Sequence, residues 1–213
     1  MQRVTLIGGS VLFVFALLFH QSDPSSNPQE LHPEICQTSS DVSPSFVREE
    51  KKSYSIGYSK EGVWLGDGSV SFESKGISVF QGGKEVDLSP PDVDRSQENL
   101  LWIDHGTVQE EYRYEPTRVE QLFHLLEPVG EGALVIATTV ETSFTGPVIE
   151  VPAGNEGWND PRMNKGGLWF CDEEGKKQIA YYGAIAIDAA GRKIDLEPTY
   201  ESGQIFLEVP ASF

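Results

Sequence analysis

The chain has 213 residues, with 33 acidic against 16 basic side chains and a net charge of -17. A field of that sign repels phosphate backbones and anionic lipid surfaces, which argues against nucleic acid and against charge-driven membrane binding. Its two cysteines, Cys36 and Cys171, lack metal-site spacing and so exclude a structural zinc.

Met1, Gln2 and Arg3 lead into an apolar run from Val4 to Phe19, broken only by Gly8, Gly9 and Ser10. That is the composition of an export segment. The flank Leu18-Phe19-His20-Gln21-Ser22 is an untidy cleavage site, so residues 1–22 read as a signal peptide or as a retained N-terminal anchor. The run is short against the ~20 apolar residues that span a bilayer. Residues 23–47 are rich in Ser, Pro, Asn, Gln and Asp and cannot bury enough surface to offset ordering entropy, which predicts a disordered linker.

From residue 48 to residue 213 the pattern is β almost throughout, and the length suits one domain with its own core. Short alternating runs at 54–58, 62–65, 69–73 and 77–80 predict a meander joined by turns at 59–62, 66–68 and 74–76. A longer acidic loop, 82–99, contains Pro90-Pro91, a pair incompatible with a central strand. Residues 107–114 alternate, with Val108, Glu110, Tyr112 and Tyr114 on one face and Gln109, Glu111 and Arg113 on the other. In 118–126 one face carries Val119, Gln121, Phe123 and Leu125 and the other carries Glu120, Leu122, His124 and Leu126, with a hairpin turn at 115–117 between the two strands. Residues 133–141 are apolar and β-branched, as in a central strand buried on both faces. Residues 145–165, rich in Gly, Pro, Asn and Asp, predict a long loop. Strands at 168–171 and 178–187 should join through 172–175, a second hairpin at 188–191 should lead to 193–196, and 204–209 should form the last strand before Pro210. No capped amphipathic helix is predicted. The apolar end at Phe213 reads either as a truncation or as a terminus tucked against the sheet. The fold class expected is all-β, an antiparallel β-sandwich-like domain behind an export segment and linker.

Catalytic signatures are missing: G-x-S-x-G, H-E-x-x-H, the phosphate-binding loop, the dinucleotide fingerprint and the calcium-loop ligand ladder do not occur. His105 follows Asp104 at a strand end, where neighbours point to opposite faces, so a base and its orienter are not expected there. His124 shares a face with Glu120 and reads as a hydrogen-bonded surface histidine. Glu110 and Glu111 diverge across the sheet, whereas a glycosidase needs two facing carboxyls. The stretch Asn155-Glu156-Gly157-Trp158-Asn159-Asp160 gathers oxygen ligands around a tryptophan. Asn155, Trp158, Asn159 and Asp160 are therefore the candidate ligand-binding residues, with calcium as the one cation that suits them and a sugar ring as the ligand Trp158 could stack. A plain loop with Trp158 folded onto the core is the ordinary alternative. Trp64, Trp102 and Trp169 lie on strands and read as core. An oxidising compartment would allow a Cys36 to Cys171 disulfide; the alternative for Cys171 is a small buried residue.

The set Trp102-x-Asp104, Glu110-x-Tyr112, Val119-Glu120-Gln121-x-Phe123, Gly132-x-Leu134, Gly167-Leu168-x-Phe170-x-Asp172-x-x-Gly175 and Ile187-Asp188-Ala189-x-Gly191 resembles the β-rich N-terminal region that precedes β-propeller-like repeat arrays in large secreted bacterial proteins. The likeness runs from about Val47 to Phe213 and carries over no catalytic residue. It implies a non-enzymatic extracellular structural or interaction module with a protein or glycan partner, secreted or at the cell surface, touching the membrane only through an uncleaved N-terminus. The alternatives are a carbohydrate-binding module centred on Trp158 and a carboxylate-based glycoside hydrolase. No resident cofactor is expected apart from the calcium option.

Overall fold

A computed structural model describes residues 11–19, 55–59, 62–66, 71–94, 100–115, 118–126, 130–148, 167–171, 173, 175 and 177–213. Among them there are sixteen strands and no helix. In chain order these are β1 (Val11–Phe19), β2 (Ser55–Ser59), β3 (Gly62–Gly66), β4 (Ser71–Gln81), β5 (Lys84–Glu85), β6 (Asp92–Asp94), β7 (Leu100–Asp104) and β8 (Val108–Glu115). There follow β9 (Arg118–Leu125), β10 (Leu134–Thr142), β11 (Thr145–Val148), β12 (Gly167–Cys171), β13 (Lys177–Ile187), β14 (Lys193–Asp195), β15 (Thr199–Glu201) and β16 (Gln204–Val209).

Every pairing among these strands is antiparallel, and they sort into two sheets. The larger runs β11-β12-β13-β1-β9-β8-β7-β6, with β14 on the second half of β13. The smaller runs β15-β16-β10-β4-β3-β2, with β5 on the end of β4. The described part of the chain is therefore all-β and antiparallel, as its alternation predicts.

Period-two patterning explains which face turns inward. In β9 the residues Val119, Gln121, Phe123 and Leu125 are all buried, and Leu101, Ile103, Val108 and Tyr112 extend that face across β7 and β8. Phe72, Val79, Leu134, Ile136, Val140, Ile205 and Leu207 line the facing surface of the smaller sheet, and both sets belong to one core. The sheets touch directly where Phe72 meets Phe170 edge-on at 5.0 Å. Burying aromatic side chains of this size contributes roughly 1.5–3 kcal/mol each.

Several elements differ from the sequence expectation for identifiable reasons. Residues 71–81 form one strand, not two with a turn at 74–76. A bulge at that point leaves Thr138 opposite Ile77 and Val140 opposite Ser74, so one extra residue of β4 is absorbed. Gly76 takes φ +119 there, a conformation that costs a glycine little, and the bulge shifts the inward phase from Phe72 and Ser74 to Ile77 and Val79. The acidic loop holds two short strands, and the one after Pro91, β6, is an edge strand, the position a proline neighbourhood tolerates. Short β15 pairs with β16 through Ser202-Gly203, both at positive φ (51° and 83°), a tight turn that the sequence reading passed over. β12 pairs antiparallel with β13 and β13 with β14, as the expected hairpins require, and Gly175 and Gly191 both take φ 79. The long loop starts with β11, and its residues 149–166 lie outside the described residues, as does the 23–47 linker. The apolar run assigned to export supplies β1, in the middle of the larger sheet.

Candidate functional site

Glutamate is the wrong residue for the inner face of β8, and the structure surrounds it with donors. Glu110 stands directly opposite Ile103 and Phe123 in the ladders and is 1% exposed. Its Oε1 lies 2.8 Å from His105 Nε2. Oε2 accepts from the Tyr112 hydroxyl at 2.7 Å and from Gln121 Nε2 at 3.2 Å. The Gln121 amide also donates to the Tyr112 oxygen at 2.8 Å, and the Tyr181 hydroxyl reaches Gln121 Oε1 at 3.4 Å. Ser74 of the opposite sheet completes the chain at 3.4 Å from the Tyr112 oxygen. Burial, and then the charge of Glu110, push the Tyr181 phenol well above its usual value.

His105 reaches this acid because of the turn that joins β7 to β8. Asp104 caps that turn, its Oδ1 accepting from the Gly106 N–H at 2.8 Å and its Oδ2 from the Gln109 amide at 3.3 Å. His105 N–H bonds Val108 C=O at 2.9 Å, which folds the histidine back over the start of β8. The residue is 6% exposed, and its partner is Glu110, five positions on, not its neighbour Asp104.

This cluster forms one wall of a crevice of about 500 Å³ lined from β4 of the smaller sheet and from β7 and β8 of the larger. The bulge of β4 supplies Gly76 and Ile77, β7 supplies Ile103, and the segment Leu88, Ser89, Pro90 and Pro91 crosses the opening. That segment is tied down by Ser89 N–H donating to His105 C=O at 2.9 Å and by Val86 N–H donating to Val79 C=O at 2.8 Å. Lys75 also lines it, held by Glu141 at 2.8 Å and Glu73 at 3.6 Å. Among the described lining residues Glu110 is the one carboxyl, and no hydroxyl or thiol is hydrogen-bonded to the His105 ring.

The next residue repeats the motif on the outer face. Glu111, 2% exposed, takes the guanidinium of Arg113 on Oε1, while Oε2 lies 2.8 Å from His124 Nε2. The His124 ring lies 5.1 Å from Trp102. Thus the partner of His124 is Glu111 across the strand pair, not Glu120 on its own strand. Trp169 is buried, whereas Trp64 and Trp102 are only partly so.

The residues singled out as ligand-binding, Asn155, Trp158, Asn159 and Asp160, lie outside the described residues, as does Cys36; Cys171 is buried at the end of β12. Among the described residues no group of three or more His, Cys, Asp or Glu side chains converges as a metal ion would require, and no helix is long and apolar enough to cross a membrane. The Glu110 cluster escaped the sequence reading because its members are spread over 74, 105, 110, 112, 121 and 181. The available signal was an acid in phase with Val108 and Tyr112, since a charge in a core register must find partners. Compared with known protein families, curated proteins and solved structures, the chain matches none.

Proposed function

We propose that the chain is a non-catalytic interaction module of an exported protein, secreted or held at the cell surface, that grips a protein or glycan partner in the crevice beside His105 and Glu110. The observation that carries this reading is the state of the acid: both Glu110 oxygens are occupied by donors from its own chain. A glycosidase needs a second carboxyl about 5–9.5 Å away across the substrate, and the described crevice wall offers Glu110 alone. A hydrolase working through His105 would need a nucleophile on that ring, and Ser89 meets His105 only through its backbone. Apolar Ile77, Leu88, Pro90, Pro91 and Ile103 with a few fixed polar groups make up the mixed lining typical of binding clefts.

The test is a calorimetric titration of the full chain with a panel of extended peptides and oligosaccharides, while products are followed by mass spectrometry. Wild type is compared with Ser89→Trp, which plugs the crevice from an exposed position, and with Trp158→Ala. Binding without turnover that falls at least about tenfold in Ser89→Trp and survives Trp158→Ala supports the proposal. Loss in Trp158→Ala alone would favour the carbohydrate-binding alternative, with or without calcium. Cleavage abolished by Glu110→Gln would overturn it in favour of a hydrolase.

A further inference from the structure

Strand β1 sits between β9 and β13 and is antiparallel to both, so those two strands run parallel to each other, two strand spacings or roughly 9.6 Å apart. Eight register pairs join β1 to β9 and seven join it to β13. Without β1 the ladder groups on both neighbours would face each other across a gap too wide for hydrogen bonds. Closing that gap would create a parallel pair between strands whose every described pairing is antiparallel.

The walls of this gap select its occupant. On the inner face the buried register positions beside β1 include Val119, Phe123, Tyr181 and Ala186, with Gln121 of the Glu110 network between Val119 and Phe123; on the outer face they include the buried Leu122, Ala180 and Tyr182, with the half-buried Glu120 and His124 flanking Leu122. A strand seated here meets buried apolar neighbours on both of its faces, so apolar residues suit it at consecutive positions and not only at alternate ones. Residues 11–19 read Val-Leu-Phe-Val-Phe-Ala-Leu-Leu-Phe and contain no polar side chain. Their register is pinned by a bulge of β13 between the pairs Val14 with Ile185 and Ala16 with Tyr182, where Gly183 takes φ 72. Residues 20–54 separate β1 from β2 by 35 positions, enough chain for β1 to leave without pulling on the smaller sheet.

We infer that β9 and β13 form a strand-acceptor slot, filled in the full chain by its own residues 11–19 and open, when that segment is drawn out of the sheet, to an extended apolar strand from another polypeptide. The partner is a segment of about nine consecutive apolar residues that adds main-chain hydrogen bonds on both sides, a form of strand addition. Export would draw the segment out by processing or by anchoring it, which links the two roles of one stretch of sequence. The slot itself depends on neither export nor the crevice.

The experiment uses the full chain with a specific protease site placed within residues 23–47 and cut after folding. Gel filtration then reports whether the N-terminal fragment stays bound. A labelled peptide of the 11–19 sequence, flanked by lysines for solubility, is added as the competing strand, and a Phe15→Asp version serves as control. The expected result is a retained fragment that the labelled peptide replaces, with binding of the Phe15→Asp peptide at least about tenfold weaker. If cutting unfolds the domain, the slot predicts that the 11–19 peptide restores it. Release of the fragment with an unchanged thermal midpoint, equal binding of the two peptides, or unfolding that the peptide does not reverse each overturns the inference.

Discussion

Glu110 shows how one misplaced charge organises its surroundings. Three donors converge on it, His105 from the turn before β8, Tyr112 from β8 itself and Gln121 from the paired strand β9, so the acid costs little while they are present and much once they are stranded. Glu110→Ala should therefore lower unfolding free energy by about 2–4 kcal/mol, because buried donors on His105, Tyr112 and Gln121 lose their acceptor. Urea denaturation measures this, and a loss below about 0.5 kcal/mol would contradict a structural role for the cluster. Tyr181 gives a pH signature of the same network. Its phenol is raised in the folded chain by burial and then by Glu110, while an unfolded tyrosine titrates near 10.0. The folded state thus holds its proton longer, and this contribution is complete below the unfolded value and lost as pH rises toward the folded one. Between about pH 8 and about pH 11 wild type should lose more stability than Tyr181→Phe. Equal losses in parallel urea titrations would show that the phenol is not held by the network.

The strands were legible wherever period two was unbroken. Residues 107–114 and 118–126 carry their faces openly, and β8 and β9 follow them almost residue for residue. Legibility failed where one residue breaks phase: Ser74-Lys75-Gly76 has the composition of a turn, yet long-range pairing with β10 keeps it inside β4 as a bulge. It failed again for β5, β6, β11 and β15, which are too short for their own periodicity and exist because a neighbour lends them a ladder. Asp188 shows a turn whose chemistry was readable. Burial pushes its carboxyl up, but hydrogen bonds from the Arg192 side chain and backbone, the Arg192 charge and the Ala190 N–H outweigh that and hold it below its ordinary value. Close strand packing makes a sharper prediction at Gly167, where an added Cβ would lie 2.9 Å from Tyr182 Cβ and 3.0 Å from Tyr181 C=O. Neither group is a flexible side-chain end, so Gly167→Ala should cost about 1–3 kcal/mol by overpacking the β12 and β13 pair. A thermal midpoint equal to wild type would mean that the two strands can separate at no cost.

On the scale of the whole molecule, the strand-rich pattern predicted the class of fold, and two antiparallel sheets around one core are what the described residues form. The crevice was not legible, because it arises where a bulge in one sheet faces a hairpin turn in the other, and no local pattern encodes that meeting. Nor was the place of residues 11–19: their uniform apolarity satisfies the needs of an export segment and of a strand buried on both faces equally well. Composition alone cannot separate those demands, but ladder geometry assigns a position to the second. The most direct test of crevice binding is an amide shift map of the full chain titrated with the same peptide and oligosaccharide panel. The account predicts perturbations centred on residues 75–77, 88–89 and 103–105, with Glu111 and His124 of the outer cluster unmoved. Perturbations centred on residues 155–160, or on Glu111 and His124, would contradict it.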